Sequence, residues 1–95
     1  MTNTSHNEAP ISFPSARLKK WEDWARALNA LGVRESDAVM RCATSLNEQP
    51  NVGNAKAMLR ALDETLERNG NAVFRTQARS LRIDLENEIA RATGE

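Results

Sequence analysis

Few side chains in this 95-residue chain belong to the types that move protons, attack carbon or bind a metal. His6 is the only histidine, and it lies in a segment with no apolar periodicity to position it beside a substrate. Cys42, the only cysteine, falls one helical turn from Val39 and Leu46 on an apolar face. A thiol in that setting, with no histidine to activate it, is predicted to be a packed hydrophobe and not a nucleophile.

The remaining candidates for chemistry are carboxylates, and their arrangement is typical of solvated helix faces. Glu22-Asp23 and Asp63-Glu64, for example, are adjacent in the sequence. The chain also contains no phosphate-binding loop, dinucleotide-binding fingerprint, zinc-ligand spacing or calcium loop. We therefore predict that the protein has no catalytic, cofactor-binding or metal-ligating residues, is not an enzyme and takes no small-molecule substrate.

The net charge and the single cysteine limit the classes of partner and the cellular compartment that the sequence predicts. The 13 basic and 13 acidic side chains cancel, which disfavours nucleic acid and anionic membranes as partners of the whole surface. No basic segment leads into an apolar run, and a lone cysteine cannot form an internal disulfide. These features predict a cytoplasmic protein that does not cross a membrane.

The elements that would position any site are helices, because apolar residues recur at helical spacing after the first 14 residues. Ser15 suits the N-cap of the first helix, and Gly32, which tolerates positive φ, suits its end. Ser36 begins the second helix, and Asn51 or Asn54 caps the third. Four helices are predicted in all.

Residues 1–14 lack the apolar surface that would offset the entropy of ordering them, so we predict a disordered N-terminal tail. Ile11 and Phe13 are exceptions, because they stand close enough to the first helix to fold over its first turn. Residues 15–93 form a single helical domain in this interpretation.

The charges of the last two predicted helices, residues 54–69 and 71–93, indicate how they pack. Each helix runs from basic to acidic, which opposes its own dipole. If the chain folds back at Gly70, the acidic end of one helix lies beside the basic start of the other, and Arg75, Arg79 and Arg82 find acidic partners such as Asp63 and Glu67. The pattern predicts an αα-hairpin. Its apolar residues face each other in four pairs: Leu66 and Phe74, Leu62 and Ala78, Leu59 and Leu81, and Ala55 and Leu85.

Short connections make successive helices antiparallel neighbours, so we predict an all-α fold, a four-helix antiparallel bundle made of two αα-hairpins. The apolar face of the first helix is wider than contact with one short helix requires. The last helix projects past the third, so its final turn also needs cover. A four-helix core or a partner covers these surfaces, and we assign the candidate partner-binding residues to them: Trp21, Trp24, Leu28, Leu31 and Ile89.

A shorter stretch, residues 27–46, resembles the helix-turn-helix of DNA-binding repressors. Its alanines, its glycine and the following Val39 are similar to the alanine, turn glycine and buried valine of that motif, although the valine stands one position late. The resemblance implies a DNA-binding regulator whose second helix enters the major groove. Only Arg34 and Arg41 would serve there as strong base or phosphate contacts.

By elimination, and from the excess of apolar helix surface, we interpret the chain as a small non-enzymatic helical module for protein–protein interaction. It would act as an adaptor, chaperone or accessory subunit, with a protein partner or as a homodimer. Two alternatives stay open, a helix-turn-helix DNA-binding regulator and a secretion-associated or phage-encoded effector, the second indicated by the Ser-, Thr- and Asn-rich tail. No cofactor is expected.

Overall fold

The computed structural model of the chain describes residues 13–32 and 34–94. Each helix packs against its neighbours in the chain, and the first closes the ring by packing against the last. The described residues contain no strand, so the predicted all-α, four-helix antiparallel bundle of two hairpins is confirmed. The helices are α1 (Ser15–Asn29), α2 (Ser36–Glu48), α3 (Val52–Arg68) and α4 (Ala72–Thr93).

The last part of the predicted tail is packed against α1. Phe13 is buried, and its ring stands edge-on to the ring of Trp21 with the centroids 5.3 Å apart. Such an edge-to-face pair adds to the energy of apolar burial. Phe13 therefore folds over the start of α1, as its position in the sequence predicted. Ile11 and the rest of the predicted tail, residues 1–12, lie outside the described residues.

Asparagine side chains start two of the helices. Asn51 accepts a hydrogen bond from the backbone N–H of Asn54 at 2.7 Å at the start of α3. Asn71 accepts one from the N–H of Phe74 at 2.9 Å at the start of α4. Both satisfy backbone donors that the first turn leaves without an intrahelical partner.

The first helix starts differently from its prediction. Ser15 is not the N-cap; it is the first helical residue, and Pro14 precedes it in an extended conformation with no side-chain cap. The carbonyl of Pro14 accepts from the N–H groups of Arg17 and Leu18, so the backbone alone closes the first turn. At the other end, Gly32 has a φ of +80°, as the sequence predicted, although α1 itself ends at Asn29.

The core is built mainly from the residues that the helical spacing selected. One cluster joins all four helices and reaches Phe13. Within the C-terminal hairpin, Leu62 and Ala78 are fully buried, whereas Leu59 and Leu66 are partly buried at the edge of the cluster. The large fully buried side chains include Trp21, Leu28, Leu46, Met58, Leu62, Phe74, Leu81 and Leu85.

The end of α4 that was predicted to project past α3 is covered within the chain. Ile89 is 7% exposed and belongs to the same core cluster as Val52. The predicted third helix begins at residue 54, but the Asn51 cap starts α3 at Val52, so the apolar surface of α3 reaches further along α4. Ile89 therefore needs no partner chain to bury it.

Charge pairing across the α3–α4 hairpin follows the predicted direction in part. Arg82 is ion-paired with Asp63, as the opposed charge gradients of the two helices predicted. Arg75 instead donates to the backbone carbonyls of Leu66 and Asn69. A cation at that position satisfies backbone carbonyls at the negative end of the α3 dipole. This explains why Arg75 bonds these carbonyls instead of the acidic side chains of α3.

Candidate functional site

Cys42 is half-buried beside the α2–α3 contact and packs against the core cluster. Burial raises the pKa of its thiol, the charges of Arg41 and Arg60 act in the opposite direction, and the charge of Glu64 raises it further. A raised pKa leaves less thiolate at neutral pH, and only the thiolate is a strong nucleophile. The environment therefore disfavours the thiolate form of Cys42.

Other chemistry finds no support in the part of the chain that the structure describes. His6 lies outside that part. No group of three or more metal-ligating side chains occurs among the described residues. No described helix combines the length and the apolar character needed to cross a membrane.

A polar cluster joins α1 to α4. The indole N–H of Trp21 donates to Oδ2 of Asp84 at 2.7 Å, and Nη1 of Arg17 donates to Oδ1 at 2.7 Å. Arg17 also lies 3.8 Å from a carboxylate oxygen of Glu88. Burial opposes the charged form of Asp84, but the hydrogen bonds from Trp21 and Arg17 and the charges of Arg17 and Lys20 hold its pKa below the usual value. The cluster fastens α1 to α4.

The five candidate partner-binding residues separate into two groups. Trp21, Leu28 and Ile89 lie in the core, so they cannot form a surface in the closed bundle. Trp21 and Leu28 share the α1 stripe with Ala25 and fill the space between the four helices, which is the reason for their burial. Trp24 is half-buried and Leu31 is 47% exposed, so a candidate partner surface is restricted to these two residues and their neighbours.

Helix geometry places a third apolar residue beside them. Asp84 marks the flank of α4 that faces α1, because it bonds Arg17 and Trp21. Val73 precedes it by eleven residues, close to three full turns, so it lies on the same flank. Leu31, in the turn after α1, follows Trp21 by ten residues, and in antiparallel helices these steps of ten and eleven residues bring Leu31 and Val73 to about the same level. Val73 is 57% exposed.

We call this surface the upper seam and define it by six residues. The "upper" end of the bundle is the one that carries the α1–α2 and α3–α4 turns. Its members share one property, the absence of charge, in a chain of which 27% is charged. Below it, the same α1–α4 boundary carries Arg17, Lys20, Asp84 and Glu88. The upper seam comprises Trp24, Ala27, Leu31, Val73, Gln77 and Ser80.

Trp24 occupies the lower border of the upper seam. Its ring packs partly against the core, and the ammonium group of Lys20 lies 5.6 Å from the ring centroid. A cation over an indole face holds the ring in place with a modest attraction. Trp24 is therefore a half-buried aromatic residue with a cation over its ring at the lower border of the upper seam.

A second concave surface, the α2–α3 groove, lies on the opposite side of the bundle. Two adjacent cavities of about 380 and 340 Å³ share Ala38 and Arg41 and together extend along the contact between α2 and α3. Small side chains form the floor and permit close approach of the two helices. The floor is formed by Ala38, Cys42, Ala57 and Ala61.

The stretch that resembles a helix-turn-helix forms the end of α1, the turn and most of α2. Val39 is buried, Arg34 is exposed in the turn before α2, and Arg41 is exposed on the side of α2 that lines the α2–α3 groove. Asp37 lies between them and accepts a hydrogen bond from Asn29. DNA binding by residues 27–46 stays a prediction, and so does the effector function, which rests on tail residues outside the described part.

The sequence analysis missed two features of these surfaces. Asp84 was not recognised as the acceptor of Trp21, although a buried indole N–H requires one and so signals a nearby polar residue. Val73 was not assigned to any apolar face, because its neighbour Phe74 occupies the core position of that turn.

Comparison with protein-family models, curated proteins and solved structures finds no match to the chain.

Proposed function

We propose that the protein is a non-enzymatic helical interaction module that binds another protein, or a second copy of itself, through the upper seam. The observation that carries this proposal is the pair of exposed aliphatic side chains, Leu31 at 47% and Val73 at 57%, beside the half-buried ring of Trp24. A cytoplasmic adaptor, chaperone or accessory subunit would use such a face.

Two properties of the upper seam support this function. Interface cores are depleted in charged residues and enriched in aromatic ones, and the six residues of the upper seam include tryptophan and no charge. Contiguous apolar patches on soluble monomers are also small and often functional, whereas isolated exposed apolar residues are normal. The grouping of Trp24, Leu31 and Val73 therefore argues for a partner more strongly than any one of them.

Ile83 provides the internal comparison. It is 56% exposed, nearly the same fraction as Val73, and both are β-branched residues of α4. The two differ in their neighbours, because Ile83 lies one turn from Arg79, Ser80, Glu86 and Asn87 on the outer face. Exposure alone does not distinguish the two residues, so the proposed function predicts that only Val73 contributes to binding.

A test replaces Trp24 with glutamate, which places a charge at the border of the upper seam. Sedimentation at tens of micromolar, alone and with partner captured from host lysate, measures association, and a thermal melt measures folding. We expect association to weaken by about 2 kcal/mol or more, the range of an interfacial hot spot, with a smaller loss of stability.

Because Trp24 is half-buried, its replacement can also disturb the core. Leu31→Glu is the second variant, since Leu31 lies in the turn after α1 and is exposed. The proposal predicts that this variant folds like the wild type and still loses association. A protein that forms no complex in either assay, or a folded Leu31→Glu variant with undiminished association, would remove the upper seam as a binding site.

A further inference from the structure

Across the α2–α3 groove, charged residues lie opposite residues of the same charge. Two contacts fix the antiparallel register of these helices: the hydroxyl of Thr65 lies 3.4 Å from the carbonyl oxygen of Glu35, and the amide of Asn54 lies 3.5 Å from that of Ser45. This register sets three pairs at nearly the same levels across the groove. From the upper end they are Arg34 with Arg68, Asp37 with Glu64, and Arg41 with Arg60.

These side chains are positioned at the groove by independent observations. Arg34, Asp37, Arg41, Glu64 and Arg68 all line its upper cavity. Arg60 and Arg41 both act electrostatically on the thiol of Cys42, which lies on the groove floor, and Arg60 also lines a cavity between α3 and α4. At the three matched levels the two rims therefore present the same sequence of charge, basic, acidic and basic, and Glu35 adds an acid beside Arg34.

The arginines of the groove are not engaged elsewhere. Within residues 13–32 and 34–94, Arg34, Arg41, Arg60 and Arg68 form no ion pair, although each has an acidic residue three or four positions away in the sequence. By contrast, the arginines of α1 and several of α4 are paired with carboxylates, as in Arg17 with Asp84. The guanidinium groups on both rims are therefore available to carboxylates from outside the chain.

The spacing of this charge pattern matches a helix. On α3 the three members are four residues apart, a rise of about 6 Å per step, or about one turn. A helix lying along the groove repeats its own side chains at that same interval on one face. If it carries an acid, a base and an acid on successive turns, each meets two opposite charges, one from each rim, while small apolar side chains pack on the alanine floor.

We propose that the α2–α3 groove docks an amphipathic helix of a partner protein that presents acid, base and acid at positions i, i+4 and i+8. This site lies on the other side of the bundle from the upper seam, so the protein would hold two partners at once. Like charges facing across a groove are unfavourable in the free protein, and a complementary helix between them relieves that repulsion.

The test uses two fluorescently labelled, alanine-rich helical peptides and fluorescence anisotropy at low salt. One carries Glu, Lys and Glu at i, i+4 and i+8, and the other carries Lys, Glu and Lys at the same positions. We expect the first peptide to bind at least about tenfold more tightly than the second, because every rim contact changes sign between them. Added salt should weaken binding, since the rims are exposed.

Variants of the protein locate the site. Arg41→Glu should weaken binding of the Glu–Lys–Glu peptide about tenfold, because Arg41 lines both cavities of the groove. Arg79→Glu is the matched control, since Arg79 is an exposed arginine of α4 with no ion pair among the described residues. Circular dichroism melts confirm that both variants are folded.

Several outcomes would overturn this proposal. Equal binding of the two peptides, binding of neither, or equal loss in Arg41→Glu and Arg79→Glu would show that the charge pattern selects no helix. Salt-sensitive, Arg41-dependent binding of duplex DNA, with no peptide binding, would assign the groove to nucleic acid instead. Val73→Glu should leave peptide binding unchanged, so failure of the groove and failure of the upper seam are separate results.

Discussion

Trp21 and Asp84 meet across the α1–α4 boundary, where the indole N–H donates to Oδ2 at 2.7 Å. The tryptophan is 1% exposed, so its N–H has no access to water and depends on this acceptor. The second oxygen of the same carboxylate accepts from Arg17. The carboxylate of Asp84 thus accepts from a buried N–H and pairs with the guanidinium group of Arg17. These two contacts fix the register of α1 against α4.

Removing the acceptor should destabilise the bundle. In Asp84→Ala the N–H of Trp21 is left buried without a partner, so we expect the free energy of unfolding to fall by about 1 to 3 kcal/mol. Glu86→Ala is the control, because Glu86 makes only an exposed ion pair with Arg82, worth less than about 1 kcal/mol. Urea unfolding compares the two, and equal losses would contradict the role assigned to Asp84.

The same carboxylate predicts a pH dependence. Burial raises the pKa of Asp84 in the folded protein, but the hydrogen bonds from Trp21 and Arg17, together with the charges of Arg17 and Lys20, outweigh it, so the pKa is lowered. A lowered pKa contributes stability above the unfolded-state pKa, and this contribution is lost as pH falls through the folded-state pKa. Between about pH 5 and about pH 2, unfolding free energy should therefore fall more in the wild type than in Asp84→Asn.

The difference between the two proteins isolates Asp84. Other acids on this boundary, such as Glu88, are present in both, as is Asp23, whose pKa is also lowered. Parallel decreases in stability for the wild type and Asp84→Asn would show that Asp84 does not drive the pH dependence.

Apolar burial should stabilise the C-terminal hairpin more than its charges do. Leu62 is fully buried, whereas Asp63 pairs with Arg82 at a partly exposed position. Truncation of a buried leucine to alanine costs about 2 to 5 kcal/mol, and an exposed ion pair contributes at most about 1 kcal/mol. Thermal melts of Leu62→Ala and Asp63→Ala should show the larger decrease for Leu62→Ala, and the reverse order would refute it.

Cys42 should react slowly with a thiol reagent in the native protein. Its half-burial limits access, and its raised pKa reduces the fraction of thiolate at neutral pH. The rate measured on the native protein should be well below the rate in urea, and it should rise with pH past the range of an ordinary cysteine. A native rate equal to the unfolded rate would contradict this environment.

The sequence predicted the helices well because their ends carry local chemistry. Asn51 and Asn71 cap α3 and α4 through their own side chains, and Gly32 takes a positive φ in the turn after α1, whatever the rest of the molecule does. The α3–α4 hairpin was also accessible, since a short turn leaves few ways to pair two apolar stripes.

Contacts between helices that are distant in the sequence could not be predicted from such local patterns. Trp21 and Asp84 are 63 residues apart, and no connection links α1 to α4 directly, so their contact follows from the packing of the complete ring. The burial of Ile89 likewise depends on α3 starting at Val52. The upper seam depends on the same α1–α4 register, which explains why Val73 carried no signal in the sequence.

The most direct test of the upper seam compares Val73→Glu with Ile83→Glu. The two residues are exposed to the same extent, at 57% and 56%, and they lie on the same helix, so the same substitution should have a similar small effect on folding. The measurement is the amount of host protein, or of a second copy of the chain, retained by each immobilised variant relative to the wild type.

A binding surface at the upper seam predicts that Val73→Glu loses most of the retained protein while Ile83→Glu retains as much as the wild type. A hot-spot contact of about 2 kcal/mol corresponds to roughly a thirtyfold change in affinity, which this assay resolves. Equal retention by the two variants would contradict the claim that the protein binds its partner through Trp24, Leu31 and Val73.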